Sequence, residues 1–296
     1  MGELDMPTFD TPNPITATVT VVGGDVRIAA GDAGSTTVTI APTDTSNTED
    51  RKAAEQTRVE YTNGHLLVRA PKLRSWLPGR SGGSVDVTIE LPAGSTVHAG
   101  AALADFTFGG PLAEARIKTG LGHVQIGRVG TLEVKTGIGD ISVDRVTGHA
   151  DISSGSGEVR VRELDSSAVI KNSNGDTWIG RVTGDLGVNA ANGRISVDQA
   201  SGAVAAKSAN GDVRLGEVAH GAVLAQTAFG KVEIGIRDGV AAWLDLNTRF
   251  GTVRNDLDTA DRPAAGEEAV EVRARTSFGD ITIHRSSADN SGKDLT

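Results

Sequence analysis

Glycine returns along the middle of this chain at a nearly constant interval: Gly122, Gly139, Gly157, Gly175, Gly193, Gly211 and Gly230 stand 17, 18, 18, 18, 18 and 19 residues apart. Two and four residues after each come apolar side chains, as in Ile141 and Val143, Val159 and Val161, Ile195 and Val197, Val213 and Leu215. A second alternating run leads into the next glycine, as in Leu132-Val134-Thr136 and Leu186-Val188-Ala190. Period-two alternation buries one face of a strand. Each repeat is therefore two short strands and two turns, and positions that return at a fixed period are met most simply by laying each coil on the last at ~4.8 Å. The sequence predicts an all-β, single-chain β-solenoid, parallel β-helix-like, with about 18 residues per coil.

The pattern reaches upstream to Ala104-Asp105-Phe106-Thr107-Phe108 and downstream through Leu244-Leu246-Thr248-Gly251 to Val272-Ala274-Thr276-Gly279. Solenoid repeats are expected over 93–285, with an inserted surface loop at about 254–269 and a polar tail over 286–296. Residues 15–92 keep the strand alphabet and lose the period, which predicts an irregular β-rich N-terminal cap behind a tail at 1–14. Within it TEDRKAAEQ reads as one helix, with Thr48 as its N-cap.

Composition narrows the function classes. Aromatic residues make up only 3% while 38% of the chain is apolar, so small Val, Ala, Ile and Leu fill a thin core. The net charge of -9 argues against a specific nucleic-acid partner, because phosphate binding needs a basic face. With no cysteine there are no disulfides or thiolate metal sites. MGELDMPTFD lacks the basic n-region of a secretory signal, and no run approaches the ~18 apolar residues of a membrane helix. A cytoplasmic location is expected.

The repeated Gly-Asp-Val-x-Val/Ile core with its Ser/Thr-x-x-Gly-Asp corners, the opening MPTFDTPNPI and the segment SVDVTIELPAG resemble a family of bacterial β-strand-repeat proteins catalogued as "putative adhesins" of unknown function. The resemblance runs from about Pro7 to Arg285. It implies a solenoid and supplies no catalytic residues.

Candidate contacts come from the outward positions. Trp178 lies three residues after Gly175, and Arg160 and Arg214 hold the same position in other coils. An exposed Trp flanked by Arg suits a partner platform. The loop 71–83 combines Lys72, Arg74 and Arg80 with Trp76 and Leu77, a composition suited to weak contact with a membrane surface or a partner groove. Lys118, Lys135, Lys171 and Lys207, with Arg275 further on, form an outward stripe that reads chiefly as a solubilising face. Acidic residues follow the corner glycines (Asp105, Asp140, Glu158, Asp176, Asp212, Asp280), but Arg194 and Lys231 interrupt the row, which favours solvated corners over a cation site. Asn174, Asn192 and Asn210 precede corner glycines and are read, with them, as residues that accept positive φ. Phe229, Phe250 and Phe278 take the same place later and are expected to stack. The six histidines occupy unrelated repeat positions, so no metal, cofactor or catalytic residue is expected.

These readings converge on a non-catalytic cytoplasmic scaffold or protein-interaction module, partner unknown, acting as a monomer or small oligomer with both ends covered. Two other classes stay open: a bactofilin-like polymerising or membrane-associated solenoid, and a carbohydrate-active β-helix enzyme using Asp140, Asp176 or Asp212.

Overall fold

The computed structural model describes residues 7–71, 83–257 and 269–286. The chain divides into two compact units, Met1–Gly157 and Glu158–Thr296. Both are built from coils of parallel strands, and the fold is a β-solenoid with a β-rich N-terminal cap.

In the second unit each coil contributes one strand to each of two ladders. One ladder runs Val159–Leu164, Thr177–Val182, Ile195–Ala200, Val213–Val218 and Val232–Ile236, each parallel to the next and in register. The other runs Ala168–Asn174, Leu186–Asn192, Val204–Asn210 and Ala222–Phe229. The alternating apolar residues face inward as expected: Val159, Val161, Ile170, Ile179, Val188, Ile195, Ala206 and Val213 are buried. Identical positions meet across coils, so Val, Ile and Ala stack on their own kind.

The corners explain the glycines. Gly193 sits at φ 137°, and a Cβ there would lie 2.1 Å from the carbonyl oxygen of Gly175 in the coil before. Positive φ and close approach together leave no room for another residue. The corner asparagines are not in the positive-φ region, where Asn63 alone stands among described non-glycine residues. They form an amide ladder instead: Asn192 Nδ2 donates to Asn174 Oδ1 and Asn210 Nδ2 to Asn192 Oδ1, both at 2.9 Å. The phenylalanines stack as expected, with Phe278 at 4.9 Å from Phe229 and 4.8 Å from Phe250. Inside the corner, hydroxyls of Ser208, Thr227 and Thr276 donate to the carbonyls of Gly193, Gly211 and Gly230.

The coil order departs from chain order. Ala269–Phe278 and Ile281–Arg285 slot directly onto Ala222–Phe229 and Val232–Ile236, and Ala241–Phe250 with Val253–Asn255 lies outside them. The coil expected to be last is thus the penultimate layer.

The first unit makes the same exchange. Thr16–Thr20 and Gly23–Gly31 lie between Thr96–Leu121 on one side and His65–Arg69 with Val85–Pro92 on the other. The segment 16–31, expected within the irregular cap, is therefore a coil, and its Gly24-Asp25-Val26-Arg27-Ile28 carries the repeat signature. Thr8–Asp10, expected within the tail, is a strand against Ser35–Pro42. The cap covers the outermost coil by antiparallel pairing, Ser35–Pro42 on Val85–Pro92 and Arg58–Thr62 on His65–Arg69. The helix Thr48–Gln56 forms as expected, but Asn47 is its N-cap, accepting from the Glu49 N–H, and Thr48 is its first residue. Buried Asp50 accepts from the Ser84 and Asp44 N–H groups, tying the helix to the cap.

This arrangement predicts a graded mutational response. Val188→Asp buries an unpaired charge and should destabilise by about 3 kcal/mol or more, whereas Lys171→Ala on the exposed face should stay within about 0.5 kcal/mol. Gly193→Ala should lose about 1–3 kcal/mol through backbone strain. Thermal or denaturant unfolding checks the ranking; equal losses for Val188→Asp and Lys171→Ala would invert the inward and outward assignment.

Candidate functional site

The outward face of the second unit carries a groove of about 450 Å³. Two rows of side chains build it. Three residues after each corner glycine, the register aligns Arg160, Trp178, Ser196, Arg214, Glu233 and Thr282 across successive coils. Two residues further on, the same repeat position holds Arg162, Gly180, Asp198, Gly216, Gly235 and His284. Glycine at three of these six places leaves strips of bare backbone, and the rings lie into them. A Cβ on Gly180 would meet Trp178 Cη2 at 3.2 Å, and one on Gly235 would meet His284 Cε1 at 3.3 Å.

Trp178 is held on two sides. The Arg160 guanidinium carbon lies 5.8 Å from the centre of its ring, within the range of a cation–π contact. Its indole N–H hydrogen-bonds to the half-buried Asp198 carboxylate on the next coil. Burial pushes the Asp198 carboxyl above its ordinary range; the Trp178 hydrogen bond and the nearby Arg214 charge oppose that rise without cancelling it. Glu233 joins the groove between Arg214 at 3.6 Å and His284 at 3.3 Å, and Glu217 accepts from Arg237 at 2.7 Å. Arg162, Glu163 and Arg181 complete one wall. The surface offers an aromatic plane edged by both signs of charge.

The three residues expected on this face, Trp178, Arg160 and Arg214, are brought together. The sequence reading passed over Asp198, Glu233, His284 and the glycines beneath the rings. Sorting residues by repeat position would have found them, since each lies at a fixed offset from a corner glycine. Lys72, Arg74, Trp76, Leu77 and Arg80 lie outside the described residues.

The lysine stripe is continuous only where Lys118 meets Lys135 on the adjoining coil; Ser153 follows Lys135, Asn189 separates Lys171 from Lys207, and Gln226 lies beside Lys207. The acidic corners have a structural task. Asp176, Asp212 and Asp280 accept the backbone N–H of Arg194, Lys231 and Thr252 at 2.8 Å, the residue after the glycine on the adjoining coil. Among the described residues no group of three or more His, Asp or Glu could hold a metal ion.

Stacked parallel coils with corner ladders define a β-solenoid of the strand-repeat class. The Toastrack DUF4097 family matches residues 17–284, and the chain belongs to that family. No curated protein matches it. Solved structures similar to it include a "putative adhesin" from Parabacteroides distasonis ATCC 8503, 16% identical over 95% of this chain and 97% of that one, TM-score 0.39. A "putative lipid binding protein" from the same strain is 10% identical over 97% and 98%, TM-score 0.34. A "putative cell adhesion protein" from Clostridium sporogenes ATCC 15579 is 12% identical over 96% and 100%, TM-score 0.24.

The raised Asp198 carboxyl has a testable sign. The folded state holds this proton above the ordinary value of 3.8, where the unfolded state has lost it. Its contribution to stability is therefore complete at low pH and is lost as pH rises through the interval between the two values. Asp198→Asn should remove that component from the pH dependence of unfolding. Carboxyl NMR of the wild type should show Asp198 titrating above 3.8, with the Trp178 indole resonance following it; a titration below 3.8 would contradict the burial.

Proposed function

We infer that the protein is a non-catalytic interaction module that binds a protein partner across the Trp178 groove. The observation that carries this reading is the lateral assembly of Trp178, Asp198 and Arg214 from three successive repeat coils into one concave, mixed-charge surface, with Arg160 of a fourth coil set over the Trp178 ring. Trp and Arg are the side chains most enriched where protein interfaces draw their affinity, and an indole already fixed by Asp198 loses little freedom on binding. The net charge of -9 favours a protein over a nucleic acid. The aspartates of the enzymatic reading, Asp176 and Asp212, lie at corners and accept backbone N–H groups. A cytoplasmic location belongs to the same proposal and is tested by fractionation of native cells.

The experiment is comparative capture from the native cell with wild type, Trp178→Ala and Arg214→Glu as baits of matched circular dichroism. A protein held by wild type and lost from both variants, then bound by purified wild type at least about tenfold more tightly than by Trp178→Ala, supports the reading. Identical capture by all three removes the groove. Turnover of an acidic or neutral glycan that disappears in Asp176→Ala replaces the interaction module with an enzyme.

A further inference from the structure

The outermost coil of the second unit differs from those beneath it. Its inward residues Leu244 and Leu246 are only half-buried, while Val272 and Ala274 directly below are fully buried. Val253 is 46% exposed above a fully buried Ile281, and Trp243 and Phe250 are 65% and 59% exposed. Among the described residues, Ala241–Phe250 pairs with Ala269–Phe278 on one side and with nothing on the other. The outermost coil of the first unit meets the opposite fate: antiparallel cap strands cover it, and Leu66, Val68, Val85, Val87 and Ile89 are buried. The segments expected to cover this end, the insertion at about 254–269 and the tail over 286–296, lie mostly outside the described residues, and among the described residues no strand covers this coil. A row of free backbone groups beside a half-exposed apolar layer is an edge that pairs with another strand.

We propose that this open coil is the contact face of a two-fold homodimer, in which Ala241–Phe250 pairs antiparallel with the same strand of a second copy about a dyad at Asn247. The strand AAWLDLNTRF is self-complementary in this register. Asp245 and Arg249 lie two residues either side of Asn247, so each carboxylate stands opposite Arg249 of the second copy, twice per dimer. Arg249 is exposed and makes no ion pair among the described residues, while Asp245 already faces Arg275 at 3.4 Å and Arg273 at 4.0 Å and can take a third guanidinium. Leu246 falls opposite Thr248, on the face that continues the core. Trp243 falls opposite Gly251, which presents no side chain to obstruct the indole. A dyad at Asp245 would instead oppose two carboxylates, and one at Arg249 two guanidiniums. A slip by one residue would set the leucine face against the polar face. Two-fold pairing also closes, since the same edge satisfies both copies and none is left to extend a filament.

The chain has no cysteine, which makes the register directly measurable. Sedimentation of the full-length protein at micromolar concentration should give twice 30.4 kDa. Arg249→Glu, which replaces two attractive pairs by two repulsive ones, should raise the dimer Kd about tenfold or more without changing circular dichroism. Leu246→Lys should give monomer. Asn247→Cys, alone at the dyad, should form a disulfide-linked dimer under mild oxidation, whereas Trp243→Cys should not. A wild-type monomer with no crosslink in Asn247→Cys overturns the proposal, as does a dimer indifferent to both Arg249→Glu and Leu246→Lys. Filaments under electron microscopy overturn the closed two-fold geometry.

Discussion

Parallel, in-register stacking of one coil on the next is the constraint from which the rest of this structure follows. At ~4.8 Å per layer, any residue type that recurs at one repeat position becomes a continuous column. Inside, columns of Val, Ile and Ala exclude water without large side chains, which is why so few aromatics suffice. At the corners, columns of a single residue type become interactions in their own right. The Asn174–Asn192–Asn210 amides chain donor to acceptor, and the Phe229–Phe278–Phe250 rings stack at the layer spacing. A column of aspartates would place like charges in a row, and the structure turns that liability to use. The carboxylates of Asp105, Asp176, Asp212 and Asp280 take the backbone N–H of an adjoining layer, and Arg194 and Lys231 break the run of charge.

The same stacking explains what was legible in the sequence. Inward and outward faces, the corner glycines and the gathering of Trp178 with Arg160 and Arg214 depend only on repeat position, which the sequence displays. The groove was less legible, because its character arises between coils. Gly180 matters through the Trp178 ring lying over it, and Asp198 through the indole of the neighbouring layer. The asparagines were placed correctly and explained wrongly: glycine alone takes the positive φ, and the amide beside it bonds along the column. The helix TEDRKAAEQ was legible, with its cap expected one residue late, at Thr48 and not Asn47.

Coil order was not legible, and the reason is physical. A strand's alternation records that one face is buried and that its edges pair, not which strand it pairs with. Thr16–Gly31 and Ala269–Arg285 fit any layer of their ladder. What distinguishes them is connectivity: in each unit a coil is tucked in out of chain order as the penultimate layer, Thr16–Gly31 ahead of the segments that form the outermost coil and Ala269–Arg285 after them. A strand held between two others gains hydrogen bonds on both edges.

That exchange leaves a different segment as the outermost coil, and the two units treat its edge differently. In the first, the chain between Gly31 and Val85 supplies antiparallel strands and a helix, and the apolar layer closes. In the second, among the described residues, no further strand pairs with Ala241–Phe250, and the coil keeps Leu244, Leu246 and Val253 near solvent. Charge placement on that strand is then the informative feature. Edge strands that must stay single carry lysine or proline to repel a partner. Ala241–Phe250 has neither; it carries one acid and one base symmetric about Asn247, an arrangement that blunts parallel addition and favours its own antiparallel copy. The groove and the open coil thus use the repeat in opposite ways. One draws a surface from differences between neighbouring layers, and the other draws a partner from the point where the layers stop.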